Sequence, residues 1–189
     1  MAEIALFPLN TVLFPGGLLP LRIFEPRYVD MVGRCLRSNE PFGVVLVRHG
    51  VDTDREVETA GVGSSARIVD FQRLEGGLLG LLCRGERRFR IQSRNRREDG
   101  LNCALIEWLA ESDDAAVAPE FLPLVPLLRE AMAKLTTLVR YIDTDYDSAA
   151  WVGYRLAELL PLDHARQQRL LEIDDPNRRL GLLAPLIQT

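Results

Sequence analysis

The chain has 189 residues, of which 47% are hydrophobic and 26% charged, with a formal net charge of −4 and a mean hydropathy near zero. These values are ordinary for a soluble globular protein of one domain or two small ones, and they exclude a global attraction to nucleic acid or to anionic membranes. The longest apolar run, residues 78–83, is too short to span a bilayer.

The first 110 residues have the short apolar runs and turn signals of β-strands. The strand-like segments are 4–6, 11–14, 18–24, 42–47, 63–71, 78–84, 88–91 and 101–109. Among them, Pro26 begins one predicted amphipathic helix over residues 26–37, and residues 49–59 form a predicted polar loop. Because the segments show no β–α–β alternation, they predict a small, mostly antiparallel barrel.

From Ala118 the apolar period changes from two to 3.6, which predicts helices. A first long helix carries the apolar stripe Phe121, Leu124, Leu128, Met132, Leu135, Leu138 or Val139, and Ile142. Three prolines confine its regular part to residues after about 126.

Three further helices have N-cap candidates: Ser148 for residues 149–160, Asp163 for the next, and Asp175 with Pro176 for the last, which Pro185 ends or kinks. The acidic segment 111–116 is a predicted linker. The predicted fold is therefore α+β, with a β-barrel at 1–112 and a helical bundle at 113–189. Since both parts carry apolar faces, we expect them to share an interface near Trp151.

The cysteines Cys35, Cys83 and Cys103 are odd in number, far apart and next to apolar residues, which favours buried free thiols in a reducing compartment. The N-terminal residues lack a basic region and are interrupted by Pro8, unlike a signal peptide. We therefore expect a cytoplasmic protein.

Catalytic and metal-binding patterns are missing from the sequence. Lys134, the single lysine, has no phosphate-loop context, and the two histidines, His49 and His164, have no cysteine at ligand spacing. A triad of Ser64, His164 and Asp163 has no G-x-S-x-G motif to support it. We expect no catalytic residue, metal or cofactor.

Residues 61–66 (GVGSSA) formally match the G-x-G-x-x-[GA] dinucleotide motif. A dinucleotide site needs a strand before the glycines and a helix after them. Here a charged segment precedes the motif and a strand-like one follows it. The pattern therefore favours a bend that leads into a strand.

Seven arginines lie between residues 84 and 97, among them Arg84, Arg87, Arg88 and Arg90. The alternation at 88–91 predicts that Phe89 and Ile91 point inward and the arginines outward. A solvated strand face is the favoured interpretation, since nucleic-acid sites usually add stacking aromatics. RNA binding through this face is the alternative.

Several segments together resemble the N-terminal domains of Lon proteases, and the first is the most specific. They are residues 6–17 (LFPLNTVLFPGG), 19–28 (LPLRIFEPRY), 41–45 (PFGVV), 61–68 (GVGSSARI), 85–91 (GERRFRI), 156–162 (LAELLPL) and 167–172 (QQRLLE). The resemblance covers nearly the whole chain.

The resemblance implies a PUA-like β-barrel followed by a helical bundle. It also implies a non-catalytic module that binds unfolded or tagged proteins and peptides, with a protease as a further partner and with homo-oligomerisation left open. RNA is the less favoured partner, and no membrane is expected. In full-length Lon, separate domains supply the ATPase and peptidase activities.

Within these segments, the apolar residues Phe7, Phe14, Ile23 and Phe24 are expected in the core. Glu25 and Arg27 are expected to fix the corner between strand and helix through an internal salt bridge or hydrogen bonds, with ligand contact as the alternative. Ligand binding is predicted in a cleft between barrel and bundle. Its candidate residues are Phe14, Glu25, Arg27, Gly63, Ser64, Trp151 and Tyr154. Besides polypeptide binding and RNA binding, the third hypothesis is a hydrolase whose catalytic residues form no recognisable motif.

Overall fold

A computed structural model describes residues 1–49, 57–110, 115–135 and 141–187. Within these ranges, seven strands and one helix come first and four helices follow, so the predicted change of period is confirmed. The elements are β1 (Ala2–Leu9), β2 (Leu18–Ile23), α1 (Pro26–Ser38), β3 (Phe42–His49), β4 (Glu58–Thr59), β5 (Val62–Arg73), β6 (Leu79–Arg96), β7 (Asn102–Trp108), α2 (Leu124–Ala133), α3 (Ala149–Leu159), α4 (His164–Glu172) and α5 (Pro176–Ile187).

The seven strands form one sheet in the order β1-β7-β6-β5-β3-β4, with β2 added beside β6. β1 pairs antiparallel with β7 at one edge and parallel with β3 at the other, so the pairings return to the strand from which they start. The remaining pairs are antiparallel. The prediction of a mostly antiparallel sheet is confirmed.

β6 is a single strand of 18 residues, where the sequence predicted two separate segments. Its first part pairs with β2 on one side, its last part pairs with β7, and β5 runs along much of its other side. β6 therefore connects three strands and places the arginine-rich segment in the centre of the sheet.

All three predicted N-cap side chains accept a hydrogen bond from a backbone N–H three residues later. The Ser148 hydroxyl accepts a hydrogen bond from Trp151 N at 3.2 Å, and the Asp163 carboxylate accepts one from Arg166 N at 2.7 Å. Asp175 likewise accepts from Arg178 N at 3.0 Å, at the start of α5. Pro185 lies inside α5 without ending it.

The predicted long helix after residue 126 is wrong. A single 3₁₀ turn at Pro119–Phe121 is followed by α2, which starts at Leu124 and ends at Ala133. Pro126 is accommodated because it lies in the first helical turn, where no intrahelical donor is needed. Leu138, Val139, most of the predicted polar loop (50–56) and most of the linker (111–114) lie outside the described residues.

The two parts of the chain share one apolar cluster, as expected. Phe14 and Val62 from the β-rich part pack in the same cluster as Leu128, Tyr154 and Leu180 from the helices. A second cluster lies between α1 and the sheet. The boundary between domains at residues 112 and 113 stays a prediction. None of the helices in the described ranges has the length and hydropathy needed to cross a membrane.

Candidate functional site

Four of the predicted binding residues lie inside the protein, where the two parts of the chain meet. Phe14 and Tyr154 are buried, with ring centroids 5.7 Å apart. Ser64 is also buried and donates from Oγ to the Leu13 carbonyl at 2.6 Å. A Cβ at Gly63 would collide with the Val44 carbonyl of the neighbouring strand. Phe14 and Tyr154 pack together in the junction, whereas Gly63 and Ser64 contact residues of the β-rich part, so the four do not line one open cleft.

The turn at residues 15–17 contacts α3 through Arg155, which is buried and forms an ion pair with the partly buried Glu158. Arg155 Nη2 donates to the Pro15 carbonyl at 2.9 Å and to Glu158 Oε1 at 2.8 Å. Gly16 has a φ of 73°, which favours glycine, and a Cβ at Gly17 would collide with Glu158. Burial raises the pKa of Glu158 to about 7, against the opposing effect of the Arg155 guanidinium.

Trp151 is half-buried at the edge of the same junction. Its ring packs edge-to-face against Tyr146, with centroids 4.9 Å apart, and the Arg155 guanidinium lies 5.9 Å from its centroid. It packs against the shared apolar cluster. This placement agrees with the expected position near the interface, and it gives the indole a packing role.

The corner between β2 and α1 is held by the predicted salt bridge. Arg27 Nη2 lies 2.9 Å from Glu25 Oε2, and Arg27 Nη1 donates to the Gly100 carbonyl at 2.9 Å. Since Arg27 is buried, both contacts stabilise the corner. The expectation for Phe24 is wrong: its side chain is 70% exposed, while Phe7 and Ile23 are buried as expected.

Arg88 is the clearest correction to the predicted arginine face. Its side chain is fully buried, and Nη1 donates to the carbonyls of Leu171 and Ile173 at 2.9 and 3.1 Å. Nη2 donates to Ala110 O at 3.3 Å, and Asp174 Oδ1 lies 3.1 Å from Nη1. Arg88 therefore binds the C-terminal end of α4 to the sheet, and it is closed to nucleic acid.

The other arginines named for RNA binding have local partners. Arg84 pairs with Asp143 at 2.9 Å, and the Arg87 guanidinium lies 4.7 Å from the centroid of the Trp108 ring. Arg90 is exposed and faces Glu107 across the β6–β7 register. Arg84 is therefore paired with a carboxylate and Arg87 is packed on an indole ring, while Arg90 is exposed.

The predicted free thiols are confirmed. Cys83 and Cys103 are buried, and Cys35 is half-buried. Burial raises the pKa of Cys83 to about 12 and also raises the pKa of Cys35 and Cys103. The thiolate form is disfavoured at all three positions, which makes them poor nucleophiles.

A groove that the sequence did not indicate lies on the outer face of β2, β6 and β5. Its volume is about 700 Å³. One row across the three strands is Pro20, Leu82 and Asp70, and the next row is Arg22, Gly80 and Gln72. Successive rows are two residues apart on each strand, so their side chains share one face.

The groove combines apolar walls with a few polar groups. Leu74 and Tyr141 complete the apolar lining. Leu21, Leu81 and Phe71 form the row between these two rows, so their side chains point to the opposite face of the sheet. Tyr141 comes from the segment before α3, and its hydroxyl donates to Asp70 Oδ2 at 2.7 Å. Both parts of the chain therefore build the groove. Finding it requires the register of three strands, which no local pattern encodes.

A sequence model described as the ATP-dependent protease La (LON) substrate-binding domain matches residues 3–189. The crystal structure of a Lon N-terminal domain protein from Xanthomonas campestris is similar, with a TM-score of 0.82, 39% identity and 98% of each chain covered. The N-terminal domain of the Mycobacterium avium complex Lon protease has the same fold, with a TM-score of 0.63, 20% identity and 96% of each chain covered.

A full-length relative places these matches in a longer protein. The Lon protease of Anaeromyxobacter dehalogenans is 25% identical over an alignment of 196 positions. The alignment covers 98% of this chain and 23% of the protease. The chain thus spans less than a quarter of that relative. Because the family model and the Xanthomonas structure both extend over nearly all its residues, the chain belongs to the family of LON substrate-binding domains.

Proposed function

We propose that this chain is a non-catalytic recognition module that binds segments of unfolded or tagged polypeptide in the groove of β2, β5 and β6. The observation that carries the proposal is the groove itself. Its volume of about 700 Å³ lies within the range of ligand sites, and it pairs apolar walls with a few polar groups at Arg22, Asp70 and Gln72. Such a surface accepts apolar side chains without demanding one sequence.

Two further features support protein ligands over RNA. The side chains of Pro20, Leu74 and Leu82 offer an apolar surface against which the apolar side chains of a polypeptide can pack. On β6, Arg88 is buried and Arg84 is paired with Asp143, so these two arginines offer no free charge for phosphates. The family description supports a role in substrate recognition, and we further propose that a protease receives the bound polypeptides. The closed order of strand pairings supports the PUA-like barrel.

The test is binding of a permanently unfolded protein, reduced and carboxymethylated α-lactalbumin, measured by fluorescence anisotropy with the full chain. We expect Leu82→Ala to raise the Kd about tenfold, because each buried CH₂ contributes about 0.8 kcal/mol and 1.4 kcal/mol is tenfold. Leu105→Ala is the matched control, since Leu105 is exposed on β7 and does not line the groove.

The control outcomes separate the readings. An unchanged Kd for Leu82→Ala would contradict binding in the groove, and a loss for Leu105→Ala would move the site to the outer face of β7. A single-stranded RNA is tested in parallel at low and high salt, since phosphate contacts make affinity fall steeply with salt. Arg90→Ala is the informative variant for RNA, because Arg90 is exposed whereas Arg88 is buried.

A further inference from the structure

The three strands beneath the groove have two lateral edges. Among the described strands, β2 pairs only with β6, and β5 beyond Ala66 also pairs only with β6. An open edge presents a row of backbone N–H and C=O groups that recruits another strand. What happens at these two edges therefore decides how a polypeptide can lie against the sheet.

The edge of β2 lacks a donor at its centre. Gly85 N donates to the Gly17 carbonyl at 2.9 Å, so the alternation of the strand turns the backbone groups of Leu19 and Leu21 toward β6. Leu18, Pro20 and Arg22 turn theirs toward the open edge. Proline has no N–H, so an added strand would find no donor at Pro20, in the middle of the row.

The edge of β5 has its donor occupied. Leu74 N donates to the Leu78 carbonyl at 2.8 Å, which fixes the alternation and turns the Phe71 N–H away from β6. That N–H donates to Asp70 Oδ1 at 2.9 Å. Tyr141 donates to the other carboxylate oxygen of Asp70 at 2.7 Å and so holds it in place.

We propose that Pro20 and Asp70 close both lateral edges to strand pairing, so that a polypeptide in the groove is held by its side chains across the sheet face. The expected ligand is an extended segment with apolar side chains, bound without regard to its backbone N–H groups or its direction. The part about the ligand rests on the proposed function, whereas the closure of the edges does not.

The edges are tested by self-association of the full chain. The double variant Pro20→Val/Asp70→Ala restores a donor on β2 and frees the one on β5. We expect its weight-average mass in sedimentation equilibrium to rise with concentration from the wild-type value toward twice that value. Asp70→Asn is the matched control, because its amide oxygen still accepts from the Phe71 N–H, and it should behave as wild type.

Folding of each variant is checked by circular dichroism. If the double variant does not fold, Asp70→Ala alone carries the test, since residue 70 is exposed. If the folded double variant, or Asp70→Ala where only that variant folds, keeps the wild-type mass at every concentration, the closure of the edges is overturned.

The binding mode is tested with a short apolar peptide and its analogue N-methylated at alternate residues, both read by anisotropy with the wild-type chain. Binding through side chains predicts Kd values that agree within about threefold, whereas strand addition predicts a loss of about tenfold or more. A large loss overturns the side-chain mode. If neither peptide binds, the proposed function fails for this groove, and the mass measurement still decides whether the edges are closed.

Discussion

Arg88 offers the most direct test of how the sheet and the helices are joined. Arg88→Met replaces a buried guanidinium with an apolar side chain of similar length. The variant loses the bonds from Nη1 to the Leu171 and Ile173 carbonyls and from Nη2 to the Ala110 carbonyl. Two of these acceptors lie at the C-terminal end of α4, where carbonyls have no intrahelical partner.

The expected loss is about 2 kcal/mol of the free energy of unfolding. A buried acceptor left without a donor costs about 1–3 kcal/mol, and Arg88→Met leaves the Leu171 carbonyl in that state. The Ile173 carbonyl still accepts from Arg179 Nη2, and Ala110 is exposed, so these two carbonyls add less. Removing a buried charge recovers part of its desolvation cost, which lowers the sum. The ion pair with Asp174 adds little, because the Asp174 side chain is 68% exposed. A loss of this size is a large fraction of the free energy of unfolding of a typical domain, which is about 5–15 kcal/mol.

The assay is urea denaturation followed by tryptophan fluorescence, with Trp108 in β7 and Trp151 in α3 reporting on the two parts of the chain. Arg90→Met is the matched control, since Arg90 is an exposed arginine on the same strand. We expect the control to lie within about 0.5 kcal/mol of wild type. Equal losses for the two variants would refute the assigned role of Arg88.

Two further predictions concern the junction. A fragment of residues 1–115 should be less soluble than the full chain, because removing the helices uncovers Phe14 and Val62. Size-exclusion chromatography measures the self-association of the fragment. A monomeric fragment as stable as the full chain would contradict the prediction. Burial raises the pKa of Glu158 from its ordinary 4.5 to about 7, so the folded state binds the extra proton between these values and stability falls as the pH rises from about 4.5 to about 7. Relative to Glu158→Gln, the wild type should lose about 1–2 kcal/mol over this window in urea denaturation, and parallel pH profiles would count against the raised pKa.

The parts of the fold that depend on local chemistry could be predicted from the sequence. Ser148 and Asp163 were predicted as caps because their side chains satisfy backbone donors within three residues. An internal salt bridge at Glu25 and Arg27 was expected from the family resemblance, and the observed one is also local, since the two residues are two positions apart. The change from period two to period 3.6 marked the boundary between the sheet and the helices.

The parts that depend on distant contacts could not be predicted in this way. Alternation placed Arg88 outside because Phe89 belongs inside, but both faces of β6 are covered here. Phe89 packs with Leu6 and Val45, while Arg88 on the opposite face meets α4. Alternation fails wherever both faces of a strand are buried. The groove was missed for a related reason, since Pro20, Leu82 and Asp70 come together only through the register of three strands.

The pairing of β1 has a consequence for the order in which the chain acquires its structure. Ala2 pairs with Ile106, and Leu6 pairs with Gly43. During synthesis β1 leaves the ribosome before β7 has been made. Its edge toward β7 therefore has no partner strand while roughly a hundred residues are added. Contacts so distant in sequence slow folding, because a long loop must close before they form. The nascent chain therefore carries β1 with one edge open, the edge toward β7, through most of the translation of the sheet, and an open strand edge is prone to aggregation.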